Sequence, residues 1–297
     1  MKLRPLQDGD QIALVAPASP FSIEAFRHVC EVLQARGFRL AIGEHVLEKR
    51  GYLAGGEAER ATDLIQAVQD PAVAAIFCIR GGYGSGRLLP WLPFSSLQGC
   101  RKIFLGYSDI TFLHLAFLSR MHWVTFHGPN LMDANSELHK IDGILSSLKG
   151  AKEFCWPLQD GHVLREGVAT GVVFGGNLTC LSHLIGTPFL PDPQGAILLL
   201  EDCGEAVYRL DRMLNQLKLA GILPRLSGLV LGDFKECGNL AEIHEVVLDH
   251  AKPYRFPIVA NLPFGHEGRN EVIPMGASFY MNTHERVFRA VDKPFIS

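Results

Sequence analysis

Ser108 is the residue in this chain best placed by its neighbours for chemistry. It follows the apolar run KIFLGY (102–107) and precedes DITFLHLAFLSRM (109–121), where Ile110, Leu113, Phe117 and Leu118 recur at helical spacing. A serine at a strand-to-helix turn exposes its hydroxyl above the sheet edge. It also aims the following amides, beginning with Asp109 N–H, at whatever that hydroxyl attacks. The chemistry this suits is acyl transfer by a serine nucleophile. Gly106, Tyr107 and Ser108 supply the G-x-S half of a nucleophile elbow, but position +2 is Ile110 rather than glycine, so the standard motif is broken. The competing reading is structural: Ser108 or Asp109 simply caps the helix, since both types are favoured N-caps.

A serine nucleophile needs a base, and the base needs an orienting acid. Of twelve histidines, His28, His114 and His244 fall within helical patterns, whereas His266 sits in the loop FGHEGRN between Gly265 and Gly268. Functional side chains concentrate on such loops. For the acid, AILLLEDCGEAVY (196–208) drives an apolar strand into Glu201 and Asp202. A carboxylate there must be paired or exposed at a site. Glu201 fits the orienting role, with a structural ion pair to Arg209 or Arg212 as its alternative. Asp202 and Glu205 suit capping and first-turn positions of a helix over 206–221.

The loop RGGYGSGR (80–87) frees backbone N–H groups to approach an anion, yet it lacks both the G-x-G-x-x-G spacing and the lysine of a phosphate loop. Gly82 could instead lend its N–H to the same oxyanion as the Ser108 turn, or the glycines could simply make a tight turn. HEVVLDH (244–250) is not H-E-x-x-H, because its histidines lie six apart, so no metal is assigned. Cys78 lies in an apolar strand, and Cys180 and Cys203 have no neighbouring cation in sequence; all three read as structural thiols.

The elements that must position these residues alternate between strand and helix in the first half. QIALVAP (11–17), FRLAIG (38–43), AVAAIFCIR (72–80), KIFLGYS (102–108) and VTFHGPN (124–130) read as strands. Helices are expected over 23–37, 57–70, 109–121 and 136–150, with only a short helical turn in SGRLLPWL (85–92). This βα alternation predicts an α/β fold: a doubly wound parallel sheet with helices on both faces. Ligands then gather outside the carboxyl ends of the strands, where 79–87, 106–111 and 127–130 fall. Residues 151–168 show little periodicity and read as a linker or short β structure. The second half mixes strands with two amphipathic helices (206–221 and 240–254) and closes in an apparent antiparallel meander, which predicts a smaller β-rich α+β domain over 169–297 beside a first domain over 1–150.

At 297 residues, 47% hydrophobic and 20% charged, the chain is of globular type rather than disordered. A formal net charge of −3 offers no basic footprint for nucleic acid and too little charge to dock on a membrane. No apolar run approaches the roughly 20 residues of a membrane span, and the amino terminus carries charges where a secretory leader needs an apolar core. Seven cysteines, an odd number without regular spacing, suit reduced thiols in a cytoplasm.

Taken in order, RGGYGSGRLLP, LGYSDITFLH, FHGPN, FGGNLTCLSHLIGT, LLLEDCGEAVYRLDRML and NLPFGHEG give a chain that resembles, over nearly its whole length, the LD-carboxypeptidases. These are serine peptidases of the murein tetrapeptide carboxypeptidase type, related also to the microcin-immunity hydrolases. The resemblance implies Ser108 as nucleophile, Glu201 as triad acid and His266 as triad histidine, with the N–H groups of Gly82 and Asp109 as oxyanion hole. It further implies a flavodoxin-like first domain, a site between the domains, a homodimer, and no metal or cofactor. The implied activity is release of terminal D-alanine from murein tetrapeptides or muropeptides recycled in the cytoplasm. An exopeptidase must recognise a terminal carboxylate, and Arg80 is a candidate for that contact. Asn177 is a weaker substrate-contact candidate, with a helix cap as its alternative. Two other functions stay open: a microcin-immunity-type amidase acting on peptidyl-nucleotide conjugates, and a non-catalytic small-ligand-binding protein.

Overall fold

The computed structural model describes residues 2–134 and 138–296. The first half runs β1 (Gln11–Val15), α1 (Ile23–Ala35), β2 (Arg39–Ile42), α2 (Glu57–Gln69), β3 (Val73–Cys78), a 3₁₀ turn (Ser85–Trp91), α3 (Phe94–Leu97), β4 (Ile103–Gly106), α4 (Thr111–Met121), β5 (Thr125–His127), α5 (Leu131–Ala134) and α6 (Leu138–Leu148). The expected helix over 136–150 appears as α6, and its first two residues lie outside the described residues. Strands β3 and β4 are nearly all apolar because helices cover both faces of the sheet. Helix α1 starts where Ser22 accepts a hydrogen bond from the Ala25 N–H and stops before Gly37, whose φ of +87° few other residues would adopt.

The second half runs β6 (Cys155–Pro157), β7 (Val163–Arg165), β8 (Val168–Asn177), α7 (Leu178–Ser182), β9 (Ile197–Cys203), α8 (Val207–Leu219), β10 (Gly228–Lys235), α9 (Leu240–Ala251), β11 (Ile258–Val259), β12 (Ile273–Met275), β13 (Ser278–Asn282) and β14 (Val287–Ala290).

Two sheets result. The first has the order β12-β5-β4-β3-β1-β2, in which β1 to β5 are parallel in the flavodoxin-like order 2-1-3-4-5. Its sequence order reverses between β1 and β3, which opens a crevice at their carboxyl ends. The second sheet, β6-β14-β13-β8-β9-β10-β11-β7, is parallel at its centre and antiparallel towards both edges.

Of the two readings of residues 151–168 the structure has short β structure rather than a bare linker: β6 and β7 form the opposite edges of the second sheet. The closing strands are not the expected single meander. Strand β12 leaves the second half and pairs antiparallel with β5, Ile273 opposite His127, while β13 and β14 form a hairpin in the second sheet. The halves also share a core, in which Phe77, Leu105 and Phe126 belong to one buried cluster with Val173, Ile197 and Phe279. Among the described residues, no helix is long and apolar enough to cross a membrane.

Candidate active site

The Ser108 turn is held in a conformation that side-chain-bearing residues rarely take. Ser108 has φ +63°, between an extended Tyr107 and a short 3₁₀ turn (Ser108–Ile110) that leads into α4. Such a left-handed non-glycine residue costs about 1–3 kcal/mol and persists only where its surroundings over-determine it. They do so here. A Cβ on Gly106 would meet Ile110 Cγ2 at 2.9 Å and Asn130 Oδ1 at 3.1 Å, while one on Gly81 would meet Ser108 Cβ at 3.0 Å. Ile110 points into the core, fully buried, which is why the +2 position carries a branched side chain rather than glycine. Asn130, from the HGPN segment, accepts the Tyr107 N–H at 3.3 Å.

The second sheet reaches this turn along β8 and β9. Asn177 N–H donates to Thr111 Oγ1 at 3.0 Å, a close approach that Gly176 permits, since a Cβ there would lie 2.6 Å from the same oxygen. Glu201, paired with Asn177 across β8 and β9, is thereby carried to the site with no solvent exposure. His266 arrives on the loop between β11 and β12. Its Nδ1 lies 2.6 Å from Glu201 Oε2 and its Nε2 lies 3.0 Å from Ser108 Oγ. Oxygen, ring and carboxylate form one linked chain across both halves of the molecule.

The electrostatics follow from burial. Desolvation pushes the Glu201 carboxyl above its ordinary range, against the pull of His266. For His266 burial works downward, but hydrogen bonding with Cys203 and Glu201 outweighs it and pushes the imidazole up to about 10. Asp233, at the end of β10, is pushed up to about 7 by burial, against a hydrogen bond from the Glu267 N–H.

Two family models match the sequence: the LD-carboxypeptidase N-terminal domain over residues 12–128 and the LD-carboxypeptidase C-terminal domain over residues 170–281. A probable murein peptide carboxypeptidase of Bacillus subtilis (strain 168) is 35% identical, covering 96% of this chain and 92% of its own. The chain belongs to the LD-carboxypeptidase family. Among solved structures, the muramoyltetrapeptide carboxypeptidase from Oxalobacter formigenes matches with a TM-score of 0.84 at 29% identity, over 96% of this chain and 99% of that one. The microcin C7 self immunity protein MccF, solved with aspartyl sulfamoyl adenosine, matches with a TM-score of 0.89 at 23% identity over 100% of both chains, a likeness of fold.

Within this LD-carboxypeptidase chain the remaining sequence candidates divide. Gly82, with φ +99°, follows β3, and its amide has no hydrogen-bond partner among the described residues. The Asp109 carboxylate is buried and accepts the Ser85 N–H at 2.7 Å, which ties the glycine loop to the serine turn. Arg80 is exposed; it donates to Pro20 O at 2.5 Å and lies within electrostatic reach of Asp133. Asn177 caps α7 by accepting the Cys180 N–H at 3.0 Å, and its Nδ2 donates to Asp202 at 2.8 Å. Asp202 takes further hydrogen bonds from Thr179 and the Cys203 N–H. It therefore does not cap α8, whose N-cap is Ala206 without a side-chain bond. Glu205 pairs with Arg209 at 3.3 Å, while Glu201 pairs with His266 and, among the described residues, with neither Arg209 nor Arg212.

Several residues of the site carry little sequence signal. The Tyr107 ring packs 4.8 Å from the His266 imidazole. Asp233 brackets the histidine loop: its N–H donates to Phe264 O at 2.9 Å and its carboxylate accepts the Glu267 N–H at 3.0 Å. The position of Tyr107 beside the serine was the one available hint for the ring. Two cavities flank the serine. One of about 290 Å³ is lined by Tyr107, Pro129, Asp133, His266 and Asn270, and the other, of about 390 Å³, by Tyr83, Arg87, Asp109, Phe112 and Phe189.

Proposed function

We propose that the chain is a serine LD-carboxypeptidase that releases terminal D-alanine from murein tetrapeptides, acting as a cytoplasmic homodimer in peptidoglycan recycling. The observation that supports this most is the hydrogen-bonded series of Ser108, His266 and Glu201, with contacts of 3.0 and 2.6 Å. His266 Nε2 takes the Ser108 proton as Oγ attacks the carbonyl of the residue before D-alanine. Glu201 keeps the proton of Nδ1 in place and stabilises the imidazolium. The N–H groups of Gly82 and Asp109 receive the oxyanion. His266 then protonates the D-alanine nitrogen as the C–N bond breaks, and water hydrolyses the acyl-enzyme. Arg80 takes the terminal carboxylate of the substrate.

The test is mass spectrometry of a murein tetrapeptide incubated with wild-type and Ser108→Ala protein. D-Alanine appears with the wild type, and the variant loses at least about 10³-fold of the rate. Equal rates would remove the nucleophile, and no release by the wild type would remove the peptidase. The likeness to MccF favours a second substrate for the same acyl chemistry, a peptidyl-nucleotide conjugate. Faster cleavage of an aminoacyl sulfamoyl nucleotide than of the tetrapeptide would promote that reading.

A further inference from the structure

A buried arginine outside the Ser108, His266 and Glu201 series touches both loops at the topological switch of the first sheet. Arg60, from α2, is only 2% exposed. Its Nη1 donates to Pro17 O at 2.5 Å and to Gly84 O at 2.9 Å, while its Nε and Nη2 are buried without a partner among the described residues. A guanidinium removed from water with part of its donors unused is an expensive way to fill a core. What it achieves is local. Pro17 lies just beyond β1 and Gly84 just beyond β3, so one charged group joins the loops leaving two adjacent parallel strands.

Those loops hold Gly82. Ser19 N–H donates to Gly81 O at 3.2 Å, and Ser19 Oγ accepts the Tyr83 N–H at 3.0 Å, so Gly82 lies between two fixed peptide units. A Cβ on Gly82 would lie 2.4 Å from that same Oγ, and one on Gly84 would lie 2.9 Å from Arg60 Nη1. Beyond Gly84, the Ser85 N–H binds the Asp109 carboxylate and Ser85 Oγ donates to Asp109 O at 2.6 Å. A continuous set of contacts thus runs from Arg60 through Gly84 and Ser85 to Asp109, and through Pro17 and Ser19 to Gly82.

We propose that Arg60 is a positioning residue that fixes the spacing and direction of the Gly82 and Asp109 amides, and so sets how well the site receives an oxyanion. This rests on the serine-peptidase reading above. Arg60 touches no reacting atom and acts through the backbone it holds. Its loss is therefore expressed in the transition state rather than in ground-state binding.

The test compares wild type with Arg60→Met, which keeps bulk and loses the donors, and Arg60→Lys, which restores one cationic donor. Two rates are read: D-alanine release from tetrapeptide, and labelling of Ser108 by a fluorophosphonate. In the labelling the Ser108 Oγ–P bond forms, the P–F bond breaks, fluoride departs, His266 takes the serine proton and the phosphoryl oxygen enters the oxyanion site. Arg60→Met lowers kcat and the labelling rate roughly 10²-fold, with KM within about twofold of wild type, and Arg60→Lys recovers about tenfold of that loss. Unchanged rates in a folded Arg60→Met protein, or a rise in KM alone, would overturn the inference. Should Arg60→Met not fold, Arg60→Lys and Arg60→Gln are read by the same criteria. A wild type that is labelled but releases no D-alanine faults the substrate and leaves the labelling rates to decide on Arg60. One that does neither ends the serine-peptidase reading, and this inference with it.

Discussion

The two sides of the site are built in different ways. Ser108 stands on a strand end inside a parallel sheet, in a strained backbone conformation packed by Gly81, Gly106 and Asn130. His266 rides on a loop with no regular structure, held at its rim by Asp233 and faced by Tyr107. The Ser108 hydroxyl is oriented by closely packed backbone geometry, and the imidazole by a few side-chain contacts. The division suits the proposed work of each: the serine turn would present amides in a fixed array, whereas the imidazole would accept a proton and deliver it through the same Nε2.

Damage on the two sides should accordingly look different. Glu201→Gln strikes the buried carboxylate hydrogen-bonded to the imidazole and has the largest effect, a fall in kcat of about 10³–10⁴-fold. It also carries a pH signature. In the proposed mechanism the active form needs neutral His266, whose pKa is raised to about 10, so kcat/KM of the wild type should climb as pH rises from 7 towards 9. Removing the carboxylate lowers that pKa, and the acid limb of the variant moves to lower pH. A limb that stays put would show that Glu201 does not set the imidazole's charge. On the serine side, Gly82→Ala meets both a positive φ and the Ser19 hydroxyl, displacing one amide. It costs about 10²–10³-fold in kcat without moving the pH limb. A shift of the limb would mean the two sides are not separable. The smallest effect belongs to Arg80→Ala, which touches neither side: KM for tetrapeptide rises about tenfold, the worth of one charged hydrogen bond, while kcat holds. Unchanged KM would dismiss Arg80 from carboxylate recognition.

The same contrast governs what could be read in the sequence. The parallel strands, the Ser108 turn and the glycine loop are legible because each is local: an apolar run, a glycine, a polar residue, then a helical period. Glu201 was legible as a carboxylate ending an apolar strand. Its pairing with His266, 65 positions away, could be expected only from the family resemblance, because no local pattern records where β8 and β9 lie against α4. Strands β6, β7 and β12 were legible only as extended stretches, because three residues carry too little pattern to show which strand each would pair with. Asp202 misled because a carboxylate before a helix usually caps it, whereas here Asn177 and Thr179 claim it first. Arg60 left one unused sign, a basic residue on the face of α2 that buries Ala61, Leu64 and Val68.

Strand β12 has a mechanical corollary. The stretch bearing His266 is anchored at Phe264 beside β10 in one sheet and, nine positions on, at Ile273 in the other. It is a suture stitched through both halves. Any rocking of the sheets must stretch or slacken that thread, so the gap between imidazole and hydroxyl doubles as a gauge of how tightly the halves are drawn together.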